Sequence, residues 1–199
     1  IGLMSGTSMD GVDAALVRFG HHSLDVVATL QHDYPGPLRH ALVAARSLPN
    51  LRRSEQVPDL HRLVGECFRD AALALLASAG VDAASVRAIG SHGQTLRHAP
   101  DAAEPYSLQI GDPDLIAAGT GIATIADFRR ADIERGGQGA PLAPAFHEWL
   151  LRREGTTRIV LNIGGIANIT VLFGDDRPTI GFDTGPGNTL LDAWISEQG

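Results

Sequence analysis

Twice in this chain a turn rich in glycine and in hydroxyl or amide side chains joins two strand-like segments. The first lies between residues 1–4 and 12–19 and reads Ser5-Gly6-Thr7-Ser8-Met9-Asp10-Gly11. The second lies between 158–163 and 168–173 and reads Asn162-Ile163-Gly164-Gly165-Ile166-Ala167-Asn168. Glycine lets the backbone come close to a ligand, and such a turn exposes several N–H groups toward one concave face, the chemistry that holds phosphate oxygens. Ordinary solvated hairpins use the same residues. Two such turns in one chain, placed to converge on a cleft, favour a nucleotide-phosphate clamp. Their sequences differ too much to establish an internal duplication.

The segments around these turns read as α/β. Residues 24–31 add a third strand to an antiparallel meander, and 37–47 follow as a helix opened by Pro37. Leu60, Leu63, Val64, Cys67, Phe68, Ala71 and Leu75 then form one apolar stripe ended by Gly80, the pattern of a long helix with one buried face. Strands are expected at 86–91, 107–110, 121–126 and 180–182, and helices at 112–118, 142–153 and 188–197. A boundary near 154–157 divides a first unit, 1–156, from the start of a second, 157–199.

Composition narrows the chemistry. All 16 basic residues are arginine, against 23 acids and a net charge of −7. Without lysine, a P-loop, a Schiff-base enzyme and a protein kinase are disfavoured. The acidic balance argues against nucleic acid and a polybasic membrane surface as partners. Cys67 has no partner for a disulfide or a metal motif and reads as a buried, inert thiol. No apolar run approaches the ~20 residues of a membrane span, so a soluble protein in a reducing, cytoplasmic setting is expected. Ile1 begins a strand without an initiator methionine, so a short leading piece is expected to be missing.

Three further segments carry chemistry. Asp183, in Gly181-Phe182-Asp183-Thr184-Gly185-Pro186-Gly187-Asn188, is expected at a strand end before a rigid elbow, where a carboxylate accepts a proton from water or a hydroxyl. Ser91-His92-Gly93-Gln94-Thr95 and Asp127-Phe128-Arg129-Arg130 each follow a buried strand and suit a hydroxyl-rich sugar with a carboxylate, one arginine serving as the fork. His92 also fits a structural histidine, and Arg129 also fits a simple surface pair with Asp132. Gly136-Gly137-Gln138-Gly139-Ala140-Pro141-Leu142 reads as a cleft wall or lid. Asp10 or Asp13 is suited to holding magnesium through water.

Taken together and in order, these motifs resemble the anhydro-N-acetylmuramic acid kinase family, within the superfamily of sugar kinases, actin and heat-shock chaperone ATPases. The resemblance runs the whole chain length and begins with Gly2-Leu3-Met4 ahead of the first turn. It implies an actin-like ATPase (ribonuclease H-like) fold, a mixed sheet flanked by helices, with the second domain incomplete because family members are nearly twice as long. It implies that water opens the 1,6-anhydro ring of the murein sugar while ATP and Mg2+ serve phosphorylation of O6, in peptidoglycan recycling. Carried onto this sequence, Gly6, Thr7, Ser8, Met9, Asp10, Gly11, Val12 and Asp13 form the first ATP loop. Asn162, Gly164 and Gly165 belong to the second, and Asp183 is the catalytic base. His92, Gln94, Asp127 and Arg130 are the expected sugar contacts, and a homodimer is the expected assembly. The first loop lacks the Asp-x-Gly-Thr of many actin-like enzymes, which leaves Asp10 as the metal candidate.

Two other readings compete: another actin-like sugar or acid kinase, which would share the phosphate loops alone, and a non-catalytic sugar-binding module that keeps the cleft wall.

Overall fold

A computed structural model describes residues 1–198. Two sheets organise them. The first joins β1 (Gly2–Ser5), β2 (Gly11–Phe19), β3 (Leu24–Asp33), β4 (Ile89–Ala99), β5 (Tyr106–Ile110) and the two-residue β6 (Thr124–Ile125). Its order is β3-β2-β1-β4-β5, with β6 beside β4. The β1–β3 meander is antiparallel as its turns require, while β4 runs parallel to β1 and antiparallel to β5, so the sheet is mixed.

A parallel neighbour for β1 needs a helical crossover, and α1 (Gly36–Arg46) and α2 (Gln56–Ala79) supply it. On α2, Leu60, Val64, Cys67, Phe68, Ala71 and Leu75 are all buried, so the apolar stripe is the core-facing side. Gly80 ends the helix at φ 63°, the left-handed cap that glycine adopts without a Cβ penalty. These side chains pack with Leu3, Val12, Ala14 and Leu16 of the sheet into one core. Gly65 brings α2 against α3 (Pro113–Thr120): a Cβ there would lie 2.7 Å from the Asp112 nitrogen. Asp112 caps α3, its carboxylate accepting from the Asp114 and Leu115 N–H groups.

After the short α4 (Arg130–Glu134) and α5 (Ala143–Leu151), the chain forms a second, antiparallel sheet of β7 (Arg158–Ile163), β8 (Ile166–Leu172) and β9 (Ile180–Pro186), followed by α6 (Thr189–Gln198). α5 lies on one face of it: His147 Nδ1 and Thr170 Oγ1 share a 2.9 Å hydrogen bond, and a Cβ at Gly181 would meet Pro144 at 2.3 Å. The expected boundary at 154–157 therefore falls after a helix that already packs on the second sheet. On the opposite face, the cross-strand rows Ile159–Val171–Ile180 and Leu161–Ile169–Phe182 form an apolar surface on which Ile159, Leu161, Ile180 and Phe182 are exposed.

Several boundaries differ from expectation. The 86–91 strand starts later and continues to Ala99, carrying Ser91-His92-Gly93-Gln94-Thr95 within it. The 121–126 strand shrinks to two residues. The 180–182 strand extends to Pro186, so Asp183 sits inside a strand, not at its end. In β4 and β9 ladder pairing overrides the local glycine signal, whereas Gly121 stays outside β6 as the left-handed cap of α3.

Candidate functional site

The first turn is built by burial on one side and exposure on the other. Met9 adopts φ 51°, and its side chain is buried in the core, pinning the turn at its middle. Gly11 is enclosed, since a Cβ would lie 2.5 Å from the His32 carbonyl oxygen. Beneath the turn the Gln94 amide donates to the Gly6 (3.1 Å) and Thr95 (3.2 Å) carbonyls. Ser5 Oγ, with one proton to donate, lies 2.6 Å from Gln94 Oε1 and 2.7 Å from the Gly11 carbonyl oxygen. Thr7, Ser8, Asp10 and Asp13 remain exposed, and Ser8 Oγ donates to Asp10 Oδ1 at 2.7 Å. Met9, Gly11 and Val12, by contrast, are buried.

The second turn is folded onto by the chain that follows β9. Gly187 and Asn188 donate their N–H groups to the Gly165 and Gly164 carbonyls, both at 2.8 Å, and Thr189 Oγ1 donates to Gly165 O at 2.6 Å. The two turns meet here: a Cβ on Gly165 would lie 2.2 Å from Thr7 Oγ1 and 2.8 Å from Thr189 Oγ1. Asn162, Asn168 and Asp183 are direct cross-strand partners and form one polar row. A bulge between Ala167 and Asn168 sets that register.

Arg129 joins three segments. Its Nε (3.1 Å) and Nη2 (2.8 Å) donate to His92 Nε2 on β4, and Nη1 donates to the Gly139 carbonyl at 3.0 Å. Asp132 does not pair with it; its carboxylate accepts from Gly139 N–H at 2.7 Å. Burial works against the Arg129 charge, and the nearby Asp183 carboxylate supports it. Burial likewise pushes His92 below its usual value, offset in part by the hydrogen bond to Gly93, with Arg129 lowering it further. Arg130 is exposed and pairs with Asp127 at 2.7 Å. Asp127 itself adopts φ 59°, an uncommon conformation for a non-glycine residue and one that clusters at functional sites.

A cavity of about 360 Å³ is lined by His61, Ser91, His92, Gln109, Asp127 and Arg130, among others. Two atoms of its lining residues, Ser91 Oγ and Gln109 Oε1, are buried without a hydrogen-bond partner among the described residues. A larger hollow of about 590 Å³, to whose lining His92 also contributes, is walled mainly by apolar atoms and offers a polar ligand little. Of the expected sugar contacts, His92, Asp127 and Arg130 line the polar cavity, whereas Gln94 is fully buried beneath the first turn. No cluster of three or more His, Cys, Asp or Glu side chains suited to a metal occurs among the described residues. Sequence reasoning weighed both arginines of the pair and chose Arg130 as the sugar contact, because the two carry an identical local signal; only the fold separates the half-buried Arg129 from the exposed Arg130. Cys67 is buried, as expected, and burial raises its thiol pKa.

A mixed α/β chain whose two glycine-rich turns touch, with an acid on the adjoining polar row, is consistent with an ATPase-like kinase fold. The chain belongs to the anhydro-N-acetylmuramic acid kinase family, which matches it over residues 1–199. It is similar to the anhydro-N-acetylmuramic acid kinase of Coxiella burnetii, 54% identical over 200 residues that cover 98% of this chain and 52% of the relative. The corresponding protein of Shewanella woodyi is 52% identical over 199 residues, covering 99% and 53%. That of Vibrio vulnificus is 50% identical over 196 residues, covering 98% and 52%. The chain thus spans about half the length of the curated relatives it matches. Among the described residues, no helix is long and apolar enough to cross a membrane.

Proposed function

We propose that this chain forms part of an ATP-dependent kinase that opens the 1,6-anhydro ring of 1,6-anhydro-N-acetylmuramic acid with water and phosphorylates O6. The observation that carries the reading is the meeting of Thr7 and Gly165, which brings two turns of phosphate-binding composition into one place. Their close approach fits a phosphate chain lying along backbone N–H groups rather than bulky side chains. ATP supplies the γ-phosphoryl group, and magnesium offsets the phosphate charge. Asp10, beside Ser8, is the proposed residue to hold the metal through water.

Asp183 is the proposed base. It takes a proton from water as the water oxygen bonds to the anomeric carbon; the bond from that carbon to O6 breaks, and the freed O6 bonds to the γ-phosphorus of ATP as the bond from that phosphorus to the bridging oxygen breaks and ADP leaves. The polar cavity is the proposed seat of the sugar, with Asp127 and Arg130 at its rim. Gln94 serves from below, by holding the first turn, and His92 from the side. The product is N-acetylmuramic acid 6-phosphate, which fits a cytoplasmic role in peptidoglycan recycling.

The relatives' additional length is the proposed cover for the apolar face of β7–β9, completing a second actin-like domain, and a homodimer is the proposed assembly. The test is ATP-dependent conversion of the anhydro sugar to its 6-phosphate by the full-length gene product and its Asp183→Asn variant. A drop of about 10²–10⁴-fold in kcat for the variant is expected for loss of a general base. No product from the unsubstituted protein would overturn the assignment, and a fully active Asp183→Asn would overturn the base.

A further inference from the structure

We propose that His92 is a positioning residue: as the neutral Nδ1–H tautomer it holds Arg129 so that the guanidinium presents its remaining N–H groups to the carboxylate of an acidic sugar. The inference rests on the sugar kinase reading above and names the group by which that site selects an anionic substrate.

The hydrogen bonds determine the tautomer. His92 Nδ1 lies 3.0 Å from the Gly93 carbonyl oxygen, which only accepts, so Nδ1 carries the proton. Nε2 then keeps its lone pair, and both Arg129 Nε and Nη2 donate to it. A protonated imidazole would set two cations face to face at 2.8 Å and lose that acceptor. Both ring nitrogens are thus engaged within the protein, and His92 acts through Arg129 instead of on the sugar.

Arg129 has five N–H groups. Three are used, by His92 and by the Gly139 carbonyl, leaving one on each terminal nitrogen. Among the described residues, Arg129 makes no ion pair with a carboxylate, in contrast to its exposed neighbour Arg130. A half-buried guanidinium with two spare donors on adjacent nitrogens matches the bidentate geometry of a carboxylate. Its partner His92 lines the polar cavity, so the guanidinium adjoins that cavity through the imidazole; the Asp183 carboxylate supports its charge. The loop bearing Gly139 closes the arrangement: the Gly139 carbonyl accepts from Arg129 while its N–H donates to Asp132. Gly137 permits this, since a Cβ there would lie 2.2 Å from Asp132 Oδ2.

The experiment uses the full-length gene product with His92→Leu, His92→Gln, Arg129→Leu and the His92→Leu/Arg129→Leu double variant. Each is assayed with 1,6-anhydro-N-acetylmuramic acid and with its analogue in which the carboxylate is reduced to an alcohol. His92→Leu is expected to lower kcat/KM for the acid by about 10-fold or more, the scale of a hydrogen bond to a charged group, through KM for the sugar and not KM for ATP. Turnover of the alcohol should fall markedly less than that of the acid. His92→Gln, which keeps an acceptor, should restore most of the loss, and His92→Leu should cost nothing further once Arg129 is gone. Additive losses, or equal losses for acid and alcohol, would overturn the proposal while leaving the kinase reading intact. Failure of the unsubstituted protein to turn over the acid would overturn both. Imidazole 15N shifts at neutral pH give a second test independent of turnover: an Nε2–H tautomer for His92 rules the proposal out.

Discussion

Gly165 of the second turn stands against Thr7 of the first, so that a Cβ added to the glycine would lie 2.2 Å from Thr7 Oγ1 and 2.8 Å from Thr189 Oγ1. Two segments separated by most of the chain are held at van der Waals distance by the absence of one methyl group. A phosphate chain shared between the turns depends on that spacing.

Gly165→Ala is therefore expected to push the turns apart. Overpacking of this kind costs about 1–3 kcal/mol, and here the displaced groups are those proposed to hold ATP. The expected outcome in the full-length gene product is a raised KM for ATP with sugar affinity retained, read by titrating each substrate separately. An unchanged KM for ATP would dissociate the contact from nucleotide binding.

Gln94 supports the same turn from below. Replacing it with Leu removes an amide that donates to the Gly6 and Thr95 carbonyls and stands beside Ser5 Oγ. Leaving such buried groups unpaired costs about 1–3 kcal/mol. Urea unfolding should show a lower midpoint at unchanged slope. A midpoint equal to that of the unsubstituted protein would mean that the amide contributes nothing net to the turn.

How far the sequence revealed the molecule varied with the kind of signal. The stripe from Leu60 to Leu75 predicted α2 because helical periodicity is local, and Gly80 marked its end for a conformational reason that tertiary structure did not alter. The meander was legible from its turns. By contrast, the path of β4 through His92 and Gln94, and of β9 through Asp183, is set by partners distant in sequence, and the glycines in both segments pointed to loops. Site residues show the same division. The two turns announced themselves by composition, whereas the choice between Arg129 and Arg130 depends on which side chain reaches β4, and nothing in Asp-Phe-Arg-Arg encodes that.

Phe68 tests the core that carries the first turn. It is fully buried at the centre of the α2 stripe, and Phe→Ala in such a setting costs about 3–5 kcal/mol from lost transfer energy and a cavity. Leu73, exposed on the same helix, is the control; Leu73→Ala should stay within about 0.5 kcal/mol. Equal losses at the two positions would contradict the assigned buried face.

His92 gives the stability curve a defined acid limb. Its pKa lies below the ordinary 6.5, mainly through burial, with the Gly93 hydrogen bond opposing and Arg129 adding to the shift. Between the folded value and 6.5 the unfolded chain binds more protons at this residue than the folded one, so stability falls as pH drops through that window. Above pH 6.5 the group is neutral in both states and contributes no slope. His98 is lowered as well, again mainly by burial, so the measurement compares proteins rather than reading one curve. Subtracting the unfolding free energy of His92→Gln from that of the unsubstituted protein cancels the His98 contribution. The difference should be flat above pH 7 and should shift against the histidine as pH falls toward 5. A difference that holds constant across the range would mean that His92 titrates alike in both states, which is incompatible with an imidazole buried against Arg129.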